Sequence, residues 1–482
     1  MQNDFGFNFD NSYARLPESF FSLQEPTSLK SPKLVLFNEK LASLLGLSTE
    51  ALKSATGVQI LSGATKAPGG ILLAQAYAGH QFSHFTMLGD GRAVTIGEQI
   101  TPTGQRYDLQ LKGSGRTPYS RGGDGKATLG PMLREYLISE AMAGLKIPTT
   151  RSLAVVTPGE EVYRERLLPG AILTRVAKSH LRVGTFQYAA SRGNDQELKI
   201  LADYAIERHY PEMLHEPHRY LAFYRSVIQA QARLVAQWML VGFVHGVLNT
   251  DNVTISGETI DYGPCAFMDS YDPATVFSSI DHYGRYAYGN QPKITSWNLA
   301  RFAETLLPLL DSDREKARDL AQAELGKFFT YYEEHYLAGM RQKLGLQGAQ
   351  DGDQDLVHDL LQLMQESKAD YTNTFLDLTF RRFDDNELYR LDPFVEWRRR
   401  WEERLGPWDE AQRGMKESNP AIIPRNHQVE EALRQAVQRG DYSPLKRLLA
   451  VLEDPFAHSP QQAEYAKPPE PTAVPYRTFC GT

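Results

Sequence analysis

The chain of 482 residues is poor in cysteine, in uncompensated charge and in long apolar runs. Two cysteines, Cys265 and Cys480, exclude a disulfide-stapled scaffold and fit a reducing compartment. A formal net charge of −7 gives no general electrostatic reason to bind nucleic acid or an anionic membrane, so any phosphate binding must be local. The first residues, Met1-Gln-Asn-Asp-Phe-Gly-Phe7, lack the basic patch, apolar run and small-residue cleavage site of an export signal. The most apolar helical stretch, 238–248, is interrupted by Gly242, His245 and Gly246 and is too short to cross a bilayer. These absences predict a cytoplasmic protein with neither a membrane nor a nucleic-acid partner, and no internal repeat offers an alternative architecture.

What is present is an α+β pattern. At 41% hydrophobic and 23% charged residues the composition is globular, and the length exceeds the roughly 250–300 residues at which one core stops growing. Four parts are expected. They are an amino-terminal extension over 1–68 packed on the main body, a β-rich small lobe over 69–180, a large-lobe core over 181–290, and a helical region over 291–482 ending in a Pro-rich, extended or mobile tail. Residues 93–96 and 107–112 read as two strands; Tyr107, Leu109 and Leu111 face one side of the second, and Asp108, Gln110 and Lys112 the other. A Gly-rich loop over 113–125 follows. Pro131 opens a helix to about 143 with Glu135 in its second turn, and a strand over 171–176 carries Arg175. A long amphipathic helix from Tyr220 stops at Gly242. A hairpin with a two-residue turn at Ser256-Gly257 then separates Asn252 from Asp261.

The chemistry concentrates around that hairpin. Asn252 closes the run His245-Gly-Val-Leu-Asn-Thr-Asp-Asn252, and Asp261 opens Asp261-Tyr-Gly263, so two side-chain oxygens can face one cleft and hold magnesium on a nucleotide. The order strand-Lys112, helix-Glu135, long helix, His loop with Asn, hairpin and Asp-x-Gly is the linear order of a protein kinase, which predicts a two-lobed kinase-like fold. One position breaks the rule. Val247 stands where a kinase carries the Asp that accepts the substrate proton, and Asp251 is the only carboxylate in the loop able to replace it, its alternative being a turn-stabilising role. Gly89, Gly91 and Arg92, Asp124 and Gly125, and Arg175 and Arg182 are singly ordinary turns or surface charge; gathered at one cleft they would neutralise a triphosphate. Asp351-Gly-Asp353-Gln-Asp355 imitates a calcium loop but has Leu356 and Gln362 where Gly and Glu are required, and reads as a solvated loop. Cys265 lies just after Asp261-Tyr-Gly263, and a mobile tail lets Cys480 reach it; a reversible disulfide and two unrelated thiols both stay open.

The stretches Gln110-Leu-Lys-Gly-Ser-Gly-Arg-Thr-Pro-Tyr-Ser-Arg121, His245 to Asn252, Asp261-Tyr-Gly-Pro264 and Thr478-Phe-Cys-Gly-Thr482 resemble the selenoprotein O family of pseudokinase protein adenylyltransferases, in a bacterial cysteine-containing form. The resemblance implies that ATP lies reversed relative to a kinase and that AMP passes to Ser, Thr or Tyr hydroxyls of proteins with release of pyrophosphate. It implies Asp251 as proton acceptor, and Asn252 and Asp261 as ligands of Mg2+, or of Mn2+ in its place. Gly89, Gly91, Arg92, Lys112, Asp124, Gly125, Arg175, Arg182 and Asp261 would hold the nucleotide, with Glu135 pairing Lys112. It also links the region of Cys480 to redox control. The competing expectations are a conventional ATP-dependent kinase and a non-catalytic ATP-binding scaffold, for which Val247 is the best argument.

Overall fold

Alternation along residues 107–112 sets the centre of the molecule, because one side of that strand is apolar and the other carries the polar residues of the cleft. The computed structural model describes residues 4–81, 84–383, 386–470 and 475–479. Its strands up to the cleft are β1 Phe21–Leu23, β2 Lys33–Phe37, β3 Leu73–Gln75, β4 Ala78–Gln81, β5 His84–Met87, β6 Ala93–Ile100, β7 Arg106–Lys112, β8 Ala127–Thr128, β9 Arg151–Thr157, β10 Glu161–Tyr163 and β11 Leu167–Ala177. Nine of them form one sheet in the order β1-β3-β6-β7-β11-β9-β2, with β8 and β10 also pairing β11, while β4 and β5 form a separate ribbon. The molecule is thus mixed α/β, with a large antiparallel sheet and many helices.

Both faces of the sheet are covered. Leu109 and Leu111 pack with Ile96, Val156 and Ile172 against Leu41, Leu52 and Val58 from the first sixty-one residues. On the other face Val155 and Leu173 meet Leu133 and Leu137 of the helix Leu129–Gly144. This helix starts two residues before Pro131, which is tolerated because first-turn N–H groups have no intrahelical acceptor. Segments of the amino-terminal region also enter the sheet itself: β1 pairs β3, and β2 pairs β9 from Lys33↔Thr157 to Phe37↔Ala154.

The long helix is Arg219–Leu240, burying Tyr224, Val227, Leu234 and Trp238, and Gly242 leaves it with φ +71. Two short strands, β12 Phe243–Val244 and β13 Ala266–Phe267, then pair and close the base of the segment that carries Asp251, Asn252 and Asp261. The expected hairpin between Asn252 and Asp261 is absent. Its two arms pair outward instead, Thr254 with Arg182 and Thr259 with Thr149, and the Thr254 hydroxyl donates to the Glu258 carbonyl (2.6 Å) and accepts from the Glu258 N–H (2.9 Å). The arms are better satisfied by neighbouring chain than by each other, because the Val253 carbonyl and the Ile255 N–H are already bonded to Val183 and Leu181.

From Gln291–Leu310 to Pro460–Ala463 the described chain is helical. No described helix is long and apolar enough to cross a membrane. Two local expectations are corrected. Asp353, placed in a solvated loop, is buried at the start of the helix Asp353–Glu366 and pairs Arg404 at 2.7 Å, because the calcium-like run is a helix start. The tail does not trail freely throughout: Thr478 bridges to Ser278, and its hydroxyl donates to the Pro264 carbonyl at 2.7 Å. Cys480 lies outside the described residues.

The polar side of β7 is buried, not a solvated rim. Asp108 accepts from Arg208 Nη2 (2.5 Å) and from the His180 N–H (2.9 Å), while Arg208 Nη1 donates to Glu98 on β6 (2.6 Å). Burial depresses the His180 pKa to about 4, so the imidazole stays neutral and Arg208 is the cation that both carboxylates share. Among the described residues Arg208→Ala would leave Asp108 without a cation and Glu98 with Arg106 alone, and should lower the unfolding free energy by roughly 3–5 kcal/mol. Equilibrium urea denaturation measures this, and a loss under about 1 kcal/mol would show that the network is dispensable.

Candidate functional site

Lys112 ends β7 on its polar side, and its Nζ donates to Glu135 Oε2 at 2.6 Å and to Asp261 Oδ1 at 2.7 Å. Glu135 reaches it from the second turn of the helix crossing the sheet. On the adjacent strand β11, Arg175 stands opposite Gln110 in register. Its Nη2 donates to Gln110 Oε1 (2.6 Å), and its Nη1 to Asp261 Oδ1 (2.6 Å) and Glu135 Oε1 (3.3 Å). Arg182, just before the helix Val183–Ser191, donates from Nη1 to Asp261 Oδ2 (2.8 Å) and to the Asp251 carbonyl (2.8 Å), with its guanidinium 4.5 Å from the centre of the Tyr77 ring.

Asp261 is therefore the hub, one carboxylate touching three cations. Burial would raise its pKa, but Lys112, Arg175 and Arg182 together hold it well below the usual carboxylate range. Its backbone sits in the left-handed region at φ +63, unusual for a residue with a side chain. Inside the loop, His245 holds the neighbouring carbonyl of Ile260 at 2.9 Å while its own N–H is bonded to Gln291, so this histidine positions backbone and does not face the cations. Asn298 holds the Leu248 carbonyl, and Asn252 Nδ2 donates to the Val247 carbonyl at 2.8 Å.

Asp251 is buried, and its Oδ1 has no hydrogen-bond partner among the described residues. Burial pushes its pKa to about 6, with Asp261 adding to the rise and its own backbone, Arg182 and Arg121 opposing it. The β4–β5 ribbon lies directly over it: a methyl group on Gly79 would sit 2.5 Å from Asp251 Oδ1, so glycine is needed there for close approach. A buried carboxylate with one bare oxygen and a pKa near neutrality can accept a proton from a neighbouring hydroxyl.

The remaining predicted positions form the rim. Gly89, at φ +108, lies under the ring of Tyr119, Gly91 lies against the Tyr119 carbonyl, and the Thr117 hydroxyl donates to the Asp90 carbonyl at 2.7 Å. These glycines thus allow the Gly-rich loop to close on the turn before β6. The loop is pinched at its neck, where the Gly115 N–H meets the Gly125 carbonyl at 3.1 Å. Arg92 contributes its carbonyl to the Gly113 N–H at 2.6 Å. Asp124 pairs Arg164 at 2.9 Å.

Three residues escaped the sequence reading. Asp90 is buried, accepts from Gln110 Nε2 and the Gln75 N–H (3.0 Å each), and has its pKa raised to about 6 by burial. A carboxylate between two glycines was a visible signal. Tyr77 and Gly79 lie in a stretch with no motif, and only the fold brings them beside Arg182 and Asp251.

The chain matches the family model "Protein adenylyltransferase SelO" over residues 5–453. It is 62% identical over 481 residues to a protein nucleotidyltransferase YdiU of Bacillus cytotoxicus, covering 99% of this chain and 98% of the relative. Against the protein of the same name from Shouchella clausii it is 62% identical over 480 residues, covering 99% of each, and against that of Brevibacillus brevis it is 60% identical over 481 residues, covering 99% of this chain and 98% of the relative. With the lysine, arginine and aspartate cluster in one cleft and similarity along nearly its whole length, the chain belongs to the protein adenylyltransferase SelO family, whose members are nucleotidyltransferases.

Proposed function

We propose that this protein transfers AMP from ATP to Ser, Thr or Tyr hydroxyls of protein substrates and releases pyrophosphate. The observation that carries the reading is the three-cation wall. A kinase needs one lysine for the phosphates; here Arg175 and Arg182, each about 2% exposed, stand beside Lys112 at the closed end of the cleft. Three buried cations favour the most highly charged part of ATP, the β- and γ-phosphates, at that end. The α-phosphate then lies toward Asp251. The same parts, in the order strand-lysine, helix-glutamate, His loop and Asp-Tyr-Gly, support a kinase-like two-lobed arrangement with helical additions.

In the reaction Asp251 takes the proton of the acceptor hydroxyl, whose oxygen attacks the α-phosphorus in line with the departing pyrophosphate. Lys112, Arg175 and Arg182 neutralise the charge that collects on the leaving group, and Glu135 keeps Lys112 in place. Among the described residues no three His, Cys, Asp or Glu side chains group to form a metal cage. The donors present suit Mg2+ or Mn2+ carried in with phosphate: Asn252 spends its amide N–H on Val247 and keeps Oδ1 as an acceptor, and Asp261 offers a second oxygen. Such an ion would screen the phosphates during attack. Gly89, Gly91, Arg92, Asp124 and Gly125 shape the nucleotide's outer wall in this reading. The docking of Thr478 on Pro264 supports a tail that brings Cys480 to Cys265 for reversible pairing, and a mass shift mapped to both cysteines on oxidation tests it.

ATP labelled on the α-phosphate should leave label on protein, and ATP labelled on the γ-phosphate should not; the reverse result would make the protein a kinase, and no label from either would make it a scaffold. The proton acceptor gives a second test. Below about 6 Asp251 already holds a proton, so transfer should rise as pH passes that value and level off above it. Asp90 titrates in the same range, so the comparison is with Asp251→Asn, which should be slower by about 10²–10⁴ and lack the rise. Asp261→Asn should lower turnover on the order of a hundredfold or more while circular dichroism is unchanged, and undiminished activity would remove Asp261 from the site. Chelation of divalent ions should stop transfer, with Mg2+ or Mn2+ restoring it.

A further inference from the structure

Asp251 has two sets of neighbours. One is Arg182 with the lysine cluster; the other, reached through the two residues before it, is a shelf of side chains around Trp297. Thr250 Oγ1 lies 3.3 Å from His80 Nδ1 on the ribbon, and Asn249 Oδ1 accepts from the Tyr286 hydroxyl. The His80 ring meets Trp297 edge-on at 5.2 Å. Over that same indole lies the Arg285 guanidinium, 4.7 Å from the ring centre, with Tyr286 on its other flank at 5.8 Å.

Arg285 is the unusual member. The acids around it are engaged elsewhere: Asp281 spends its two oxygens on the N–H groups of Arg285 and Tyr286 (2.9 and 2.8 Å), and Glu304 pairs Arg301 at 2.7 Å. Among the described residues Arg285 has no carboxylate partner, and its Nε is buried without a hydrogen-bond acceptor. A guanidinium held over an indole has lost part of its side-chain freedom in advance, so it binds an incoming anion at reduced entropic cost. Tyr283, two residues away, is 99% exposed, and Phe85 at the edge of His80 is 47% exposed. The shelf therefore joins a fixed cation to open aromatic surface, in a protein whose net charge is −7.

We propose that Arg285, stacked on Trp297 beside the Asp251 loop, selects acceptor segments that carry an Asp or Glu side chain close to the hydroxyl to be modified. This rests on the AMP-transfer reading above, and it adds the substrate class that the same site prefers. The carboxylate would meet the guanidinium in a two-pronged ion pair while the hydroxyl lies at Asp251. A rim charge of this kind acts on encounter and binding, so it appears in KM and weakens with salt.

The test uses the full chain, α-labelled ATP and a carrier protein bearing one serine in an exposed tail, flanked by aspartates, by neutral residues or by lysines. The acidic tail should be favoured over the neutral one by about fivefold in kcat/KM, through KM, with the advantage shrinking at high salt. Arg285→Glu should reverse the ranking in favour of the lysine tail, and Arg285→Lys should keep it in weakened form. ATP-dependent thermal stabilisation checks that the variants are folded, and Arg285→Gln, expected to erase the ranking, replaces the glutamate variant if that one is not. Equal labelling of the three tails by the parent protein, or the same ranking in Arg285→Glu or Arg285→Gln, would overturn the proposal while leaving AMP transfer intact. Absence of α-label from all three tails would overturn the transfer reading and this inference with it.

Discussion

One carboxylate organises the cleft. Asp261 receives Lys112 from β7, Arg175 from β11 and Arg182 from the entry to the helix Val183–Ser191, so the lysine, the arginine pair and the aspartate come from three separate parts of the chain. Without it, among the described residues, Lys112 and Arg175 would share Glu135 alone and Arg182 would have no ion-pair partner, so mutual repulsion would spread the three side chains locally. With it they converge. The left-handed backbone at Asp261 and the histidine clamp on the preceding carbonyl are the local costs of placing that carboxylate.

The cleft also separates its functions physically. Lys112 and Arg175 stand on the sheet and are tied to Glu135 of the helix crossing it. Asp251 lies in a loop held from beneath by Asn298 and covered by a two-stranded ribbon outside the main sheet. A carboxylate under such a cover is shielded from solvent, which keeps its proton affinity raised.

Much of this was legible in the sequence, and the exceptions have physical causes. The alternation in 107–112 identified the strand and the face carrying Lys112, and helical spacing placed Glu135, because both signals are local. The convergence of Arg175 and Arg182 on Asp261 was readable only as a collection of charges, since spacing along the chain says nothing about which cations share a carboxylate. The hairpin between Asn252 and Asp261 failed because turn chemistry at Ser256-Gly257 is present while the arms find better partners across the fold. Gly89 and Gly91 were read as phosphate-approaching glycines; in the structure they make room for Tyr119. Tyr77, Gly79 and the Arg208 network carry no motif at all, and only tertiary packing reveals them.

The edge strand Lys33–Phe37 has its partner some 120 residues later in Arg151–Thr157, and Lys112 waits until residue 261 for its aspartate. During synthesis, therefore, the ribosome releases Lys112 long before the carboxylate that tames it exists. The nascent sheet would hold an incompletely neutralised cluster and an open edge through a large part of translation, a state that binds stray polyanions and other strands. Maturation of the cluster is thereby tied to the arrival of Asp261, so a product truncated before it should be a sticky fragment.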